Sequence, residues 1–170
     1  MLSGQEPVAA ARVESAWRLL ASVEDPEIPA VSVVDLGLIR FVQVSGGILE
    51  VGLSPTYVGC PATEVIRRAV QDALRHGSVG DFKVTSVLSP AWSSDWITAD
   101  GRRKLLEYGI VPPDRTVSNL RDVRRGGRPV ACPRCRSVDT EALSEFGSTP
   151  CKALHRCRTC LEPFEYFKCI

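Results

Sequence analysis

Four cysteines near the end of the chain fall into two Cys-x-x-Cys knuckles, Cys132-Pro133-Arg134-Cys135 and Cys157-Arg158-Thr159-Cys160, with twenty-one residues between them. A Cys-x-x-Cys pair turns back on itself, so two thiolates reach one ion from a tight turn. Two such turns supply the four sulfur ligands of a tetrahedral structural zinc site. The spacer is slightly longer than usual, and the bland reading is four buried or redox-active thiols. Paired knuckles favour a zinc ribbon over residues 131–170.

Cys60 stands apart from these. It lies between Gly59 and Pro61, just before the most regular helical pattern in the chain. With Pro61 opening that helix, the sulfur meets unpaired N–H groups and the positive end of the macrodipole, which favour a thiolate able to bind metal or act as a nucleophile. The alternative is a small apolar residue tucked beneath the helix. Neither histidine is close in sequence: His76 ends the helix and His155 belongs to the ribbon. A Cys-His hydrolase therefore has little support, whereas metal or cluster handling needs only thiolates.

The elements that must position these groups read as α+β. Pro7 suits the first turn of a helix in which Ala9, Val13, Ala16, Trp17, Leu20 and Val23 recur at helical spacing. Asp25-Pro26-Glu27-Ile28-Pro29 breaks it. Residues 38–44 and 48–53 read as strands joined through Ser45-Gly46-Gly47, a hairpin turn needing positive φ. The helix from Pro61 has an apolar face of Ala62, Val65, Ile66, Ala69, Val70, Ala73 and Leu74, and ends at His76-Gly77. Residues 81–88 form a third strand, and Thr98 caps a short helix closed by Gly109. That order predicts a small sheet with helices on one face.

Charge divides the chain further. Of its 170 residues, the first 110 hold 10 Lys/Arg against 13 Asp/Glu, while residues 111–136 hold 7 Arg against 2 Asp. Pro112-Pro113 ends the first kind of sequence, and the Arg- and Gly-rich stretch that follows has too few apolar residues to fold alone. The expected division is a domain over 1–111, a linker over 112–130 and the ribbon over 131–170. The linker arginines could meet RNA, DNA or an acidic partner, but no aromatic residue interleaves with them as a stacking platform would require. No apolar run spans a bilayer, Gln5 and Glu6 stand where a secretory leader needs positive charge, and seven cysteines, an odd number with four of them in knuckles, suit a reducing compartment. A cytoplasmic location is expected.

Three stretches then carry a resemblance: Asp25-Pro26-Glu27-Ile28-Pro29, Val34-Asp35-Leu36-Gly37-Leu38-Ile39 and Ser54-Pro55-Thr56-Tyr57-Val58-Gly59-Cys60-Pro61. In this order they resemble the signature of the SufT-like iron–sulfur assembly domain. The ribbon ending Glu162-Pro163-Phe164-Glu165-Tyr166-Phe167-Lys168-Cys169, with Pro90-Ala91-Trp92-Ser93-Ser94-Asp95-Trp96-Ile97, is similar to the D-subunit family of the phenylacetyl-CoA epoxidase system of aerobic phenylacetate degradation. The resemblance covers residues 13–110 and 131–170 and leaves the linker unmatched.

The resemblance implies an α+β domain acting in cluster or metal-centre maturation, with Cys60 as its functional thiol. Asp25, Glu27 and Asp35 match the family's acidic positions, and Thr56 its threonine. Turn chemistry alone also accounts for these acids: Asp25 and Glu27 flank a proline, and Asp35 before Leu36-Gly37 can hold its own backbone. Trp92 and Trp96, four apart, read as core anchors before they read as a partner surface. Cys151 and Cys169 remain outside the knuckles. Either one, or His155, could replace a knuckle ligand, and Cys60, Cys151 and Cys169 together could hold an iron–sulfur cluster.

The chain is therefore expected to be a non-catalytic accessory protein of the phenylacetyl-CoA epoxidase. It would carry zinc, with iron or an iron–sulfur cluster held transiently. Its expected partners are epoxidase components or their reductase and general iron–sulfur assembly proteins, with a homodimer left open. One rival is a subunit needed during turnover, structural or catalytic. Against a catalytic one, the first domain lacks a Glu-x-x-His pair, a Gly-x-Gly-x-x-Gly fingerprint and a Gly-x-Ser-x-Gly elbow. The other rival, a nucleic-acid module, sits poorly with a formal net charge of only +1.

Overall fold

The computed structural model describes residues 5–57, 59–113 and 130–168, and the chain separates into two compact units, Met1–Trp92 and Ser93–Ile170. In the first, helix α1 (Gln5–Leu20) accommodates Pro7 in its opening turn, where a missing N–H breaks no intrahelical bond, and buries Ala16 and Leu20. Strands β1 (Ile39–Ser45) and β2 (Ile48–Leu53) form an antiparallel hairpin. Gly46 and Gly47 turn it at φ +56° and +82°, two consecutive left-handed residues as a primed two-residue turn demands.

Helix α2 (Thr63–His76) crosses back so that β3 (Phe82–Ser86) pairs parallel with β2, giving the sheet order β1-β2-β3. Leu49, Val51 and Leu53 point to one side of the central strand and are fully buried, with Val44, Val42 and Val84 paired beside them. Helix α1 packs on β1, α2 on β3, and the two helices on each other. The buried face of α2 is Ile66, Val70 and Leu74, each stabilising the fold by roughly 1.5–3 kcal/mol. Val65, counted with that face in the sequence, is 55% exposed. On the other side of the sheet Phe41 lies over Gly52, where an added Cβ would stand 2.4 Å from the ring. Arg12 ties α1 to the sheet by donating to the carbonyls of Val79, Gly47 and Asp81 at 2.8, 2.8 and 3.0 Å.

The second unit opens with a single 3-10 turn, Ser94–Trp96, and helix α3 (Ala99–Glu107). Thr98 Oγ1 caps α3 by accepting from Gly101 N–H at 2.9 Å, and Gly109 leaves it at φ +93°. Strand β4 (Ile110–Val111) then pairs parallel with β7 (Pro163–Phe167), which pairs with β6 (Lys152–Cys157), which pairs with β5 (Thr140–Ser144). The four-stranded order is β4-β7-β6-β5. The division between units thus falls after Trp92, whereas charge and proline placed it after residue 111. Of the expected linker, residues 114–129 lie outside the described residues. The two tryptophans part company: Trp92 is buried in the first unit with its indole N–H on the Leu36 carbonyl at 2.9 Å, and Trp96 is half-buried in the second. Among the described residues no helix is long and apolar enough to cross a membrane.

Candidate functional site

Two backbone loops build the metal centre of the second unit. In the first knuckle Cys132 N–H donates to Ser137 O and Arg136 N–H to Cys132 O, both at 2.9 Å. In the second, Cys157 N–H donates to Glu162 O at 2.9 Å, and Cys160 N–H points at Cys157 Sγ from 3.5 Å. Each knuckle closes on a left-handed residue, Arg136 at φ +62° and Leu161 at φ +63°. Cross-links hold the loops together: Ser137 Oγ to Thr159 Oγ1 at 2.8 Å, Arg158 N–H to Asp139 O at 2.9 Å, and an Arg134–Glu162 ion pair. Cys132 and Cys157 are buried against Phe164, while Cys135 is exposed.

The four Sγ atoms all lie within 4.8 Å of one another, with Cys132–Cys160 at 3.7 Å and Cys135–Cys157 at 3.5 Å. Sulfurs on a tetrahedron about 2.3 Å from a central zinc stand about 3.8 Å apart, so the donor set fits that ion. Electrostatics agrees. The amide N–H groups of Cys160 and Thr159 aim at Cys157 and, against burial, hold its thiol down to about 6. At Cys160 the Glu162 N–H pulls the same way, but burial and the neighbouring thiols win and push it up to about 12. Four thiolates this close need a cation between them, and a divalent ion provides the charge that lets all four ionise.

The other sequence candidates fall elsewhere. His155 is outside the four-sulfur group: its ring stacks on Phe164 (centroids 5.7 Å apart) and meets the edge of Tyr166 (5.6 Å), and burial lowers its pKa. Cys151 is buried with Thr149 Oγ1 3.0 Å from its sulfur. It precedes β6, about 20 Å of extended strand from Cys157 at the other end. Cys169 lies outside the described residues.

In the first unit Cys60 is a half-buried free thiol on the loop between β2 and α2. Gly59 at φ +90° turns the chain there, Cys60 N–H donates to Tyr57 O at 3.3 Å, and Cys60 O accepts from Thr63 N–H at 3.2 Å. Helix α2 begins at Thr63 with Ala62 as its N-cap. Pro61 therefore belongs to the entry turn and does not open the helix, and the sulfur is carried on that turn rather than by the helix itself. Thr56 is half-buried on the same loop.

The acidic positions hold turns. Asp25 Oδ1 accepts from the N–H groups of Glu27 and Ile28, each at 2.9 Å. Asp35 Oδ2 accepts from Ser32 N–H at 2.9 Å while Ser32 Oγ accepts from Asp35 N–H at 3.0 Å. Both aspartates are 7% exposed, and Glu27 is half-buried beside the first. Ser54 N–H donates to Leu38 O at 2.8 Å, which fastens the start of the thiol loop to the chain leaving these turns. Among the described residues Cys60 and these acids do not form a metal-binding group. Elsewhere on the ribbon Lys152, buried and marked out by no motif in the sequence, pairs with the half-buried Glu165 at 2.9 Å, and Phe146 is exposed.

Comparison with known proteins follows the same division. Residues 14–89 match the family described as iron–sulfur cluster assembly protein, and residues 117–168 the PaaD zinc beta ribbon domain. The chain is 45% identical to the D subunit of the 1,2-phenylacetyl-CoA epoxidase of Escherichia coli (strain K12), over 96% of each chain. It belongs to the D-subunit family of phenylacetyl-CoA epoxidase. The first part of this family member is also 34% identical to an Fe-S protein maturation auxiliary factor of Porphyromonas gingivalis (strain ATCC BAA-308 / W83), over 58% of this chain and 91% of that protein. Its fold is similar to the crystal structure of a domain of unknown function, DUF59, from Bacillus anthracis, with a TM-score of 0.54 and 25% identity over 59% of this chain and 96% of the other. This member of the D-subunit family is thus an iron–sulfur-assembly-type α+β domain followed by a zinc ribbon whose four cysteines converge.

Proposed function

We propose that this chain is an accessory maturation protein of the phenylacetyl-CoA epoxidase system, helping to assemble an iron–sulfur or di-iron centre in that multicomponent oxygenase. The observation that carries the reading is the union, in one chain, of an iron–sulfur-assembly domain with a free thiol on its Cys60 loop and the zinc ribbon of the D-subunit family. Iron or a cluster is the cargo. Cys60, half-buried on a glycine-turned loop, is the group that meets it, with Thr56 beside it on that loop. Asp25, Glu27 and Asp35 belong to the turns that lead into β1, to which the start of the Cys60 loop is fastened.

The ribbon's part is different. Its four thiolates would hold a structural zinc ion, whose charge neutralises them and staples a sheet too small to fold on its own core. Zinc there has no open position for substrate, so it supplies architecture rather than chemistry. The expected partners are the oxygenase subunits or their reductase and the general iron–sulfur assembly proteins.

The rival is a subunit required during turnover, and a purified assay separates the two. Oxygenase matured in a strain that has this chain, then freed of it, should turn over phenylacetyl-CoA at the full rate. A rate that is restored only on adding this protein back would contradict maturation and establish the turnover role.

A further inference from the structure

Phe146 stands on the turn between β5 and β6 with 62% of its surface exposed. One exposed apolar side chain needs no explanation by itself; the way its turn is fastened does. Phe146 N–H donates to Ser144 Oγ at 3.1 Å, Gly147 N–H to Lys152 O at 2.8 Å, and Ser148 N–H to Glu165 Oε1 at 2.6 Å. The other Glu165 oxygen lies 2.9 Å from Nζ of Lys152, a lysine only 2% exposed. Lys168 closes the far side, donating to Glu145 O at 3.0 Å with its ammonium 4.7 Å from the centre of the Phe146 ring. A buried lysine is tolerated only when paired, and here the pairing carboxylate also pins the turn. Ordering each residue of such a turn opposes about 1–2 kcal/mol of chain entropy. The fold buries little of the ring that this order holds out.

We propose that Phe146, with the Lys168 ammonium over its ring, anchors a docking surface for another protein subunit, one that offers an apolar pocket edged by carboxylates. Rigid aromatic anchors dominate interface energetics because little entropy remains to be lost when they dock. Among the described residues Lys168 meets Glu145 through its backbone carbonyl, so the ammonium keeps its charge for an acid at the pocket's edge. Nucleic acid is the poorer fit: ribbon residues 130–168 hold six Lys/Arg against five Asp/Glu, too even a balance to attract phosphates.

The partner class rests on the reading that this chain works with the epoxidase, and the purified oxygenase subunits of that system are the probe. Binding of the full chain is measured by calorimetry for wild type, Phe146→Ala, Phe146→Trp and Lys168→Glu, with zinc content and unfolding midpoint recorded for each. The proposal predicts unchanged zinc throughout and an unchanged midpoint for the two Phe146 variants. It also predicts binding weakened at least about ten-fold by Phe146→Ala, weakened by Lys168→Glu, and kept by Phe146→Trp. Equal binding by Phe146→Ala would overturn it and leave the maturation role standing. Absence of binding by wild type would overturn it too, as would a Phe146-dependent self-association or affinity for single-stranded DNA. Normal docking beside unaltered oxygenase iron in a Cys60 variant would instead sink the maturation reading alone.

Discussion

Asp25 and Asp35 show at the level of single residues how a buried carboxylate holds a turn. Asp25 Oδ1 takes two backbone N–H groups in a site 7% exposed, so its removal strands two donors. Asp25→Ala should therefore cost about 1–3 kcal/mol in urea unfolding, whereas Asp25→Asn, which keeps the accepting oxygen, should cost less than half as much. If Asp25→Asn folds normally yet leaves the oxygenase poor in iron, the carboxylate's charge matters beyond its turn. Glu165 carries a pH signature. Burial pushes its carboxyl up, but the Ser148 N–H and the Lys152 ammonium outweigh this and hold it below the ordinary carboxylate value. Its stabilising contribution is therefore complete above about pH 4.3 and fades as pH falls through the lowered value. Protection of the Ser148 amide against exchange, taken relative to its intrinsic rate at each pH, should fall over that acidic window in wild type, and a Glu165→Gln chain should show no such step.

At the level of elements, the knuckles stand or fall together. Losing one ligand leaves three clustered thiolates and a sheet with a small core, so Cys135→Ser should release the ion and open residues 131–168 to protease while the first unit stays intact. Retention of one zinc per chain in that variant would show the four-sulfur assignment to be wrong. Within the first unit, Trp92→Phe removes the indole N–H from the Leu36 carbonyl, and a loss of about 1–2 kcal/mol in stability is expected from denaturant titration. Much at this scale is legible in the sequence because local chemistry writes it: the Gly46-Gly47 turn, the Thr98 cap and the Cys-x-x-Cys spacing are each set by a few adjacent residues. What escapes reading is non-local. Strand β4 has two residues, too few for any period, and only its pairing with β7, more than fifty residues away, makes it a strand. The three carbonyls held by Arg12 come from two distant segments, the hairpin turn at Gly47 and the loop of Val79 and Asp81, and nothing near Arg12 in sequence announces them. Lys152 is hidden for another reason: a lysine inside a sheet reads as exposed, and the Glu165 that makes its burial tolerable sits on the neighbouring strand.

For the whole molecule, the candidate site is legible where thiols are spaced by the chemistry of one ion, as in Cys132, Cys135, Cys157 and Cys160. It is less so at Cys60, whose loop geometry depends on Gly59, Tyr57 and the start of α2 rather than on Pro61 alone. The two units divide the proposed labour: one presents a thiol to cargo, the other holds a stapled sheet and a docking aromatic. A protein that acts upstream of its client leaves its mark on the client's composition, whereas one that acts within the catalytic complex leaves its mark on rate. Cys60→Ala removes one half-buried sulfur and should fold as wild type. The decisive measurement is iron per oxygenase in phenylacetate-grown cells whose only copy of this chain carries Cys60→Ala. The maturation account predicts oxygenase protein at normal abundance with markedly reduced iron and matching loss of activity, and a normal iron content would contradict it.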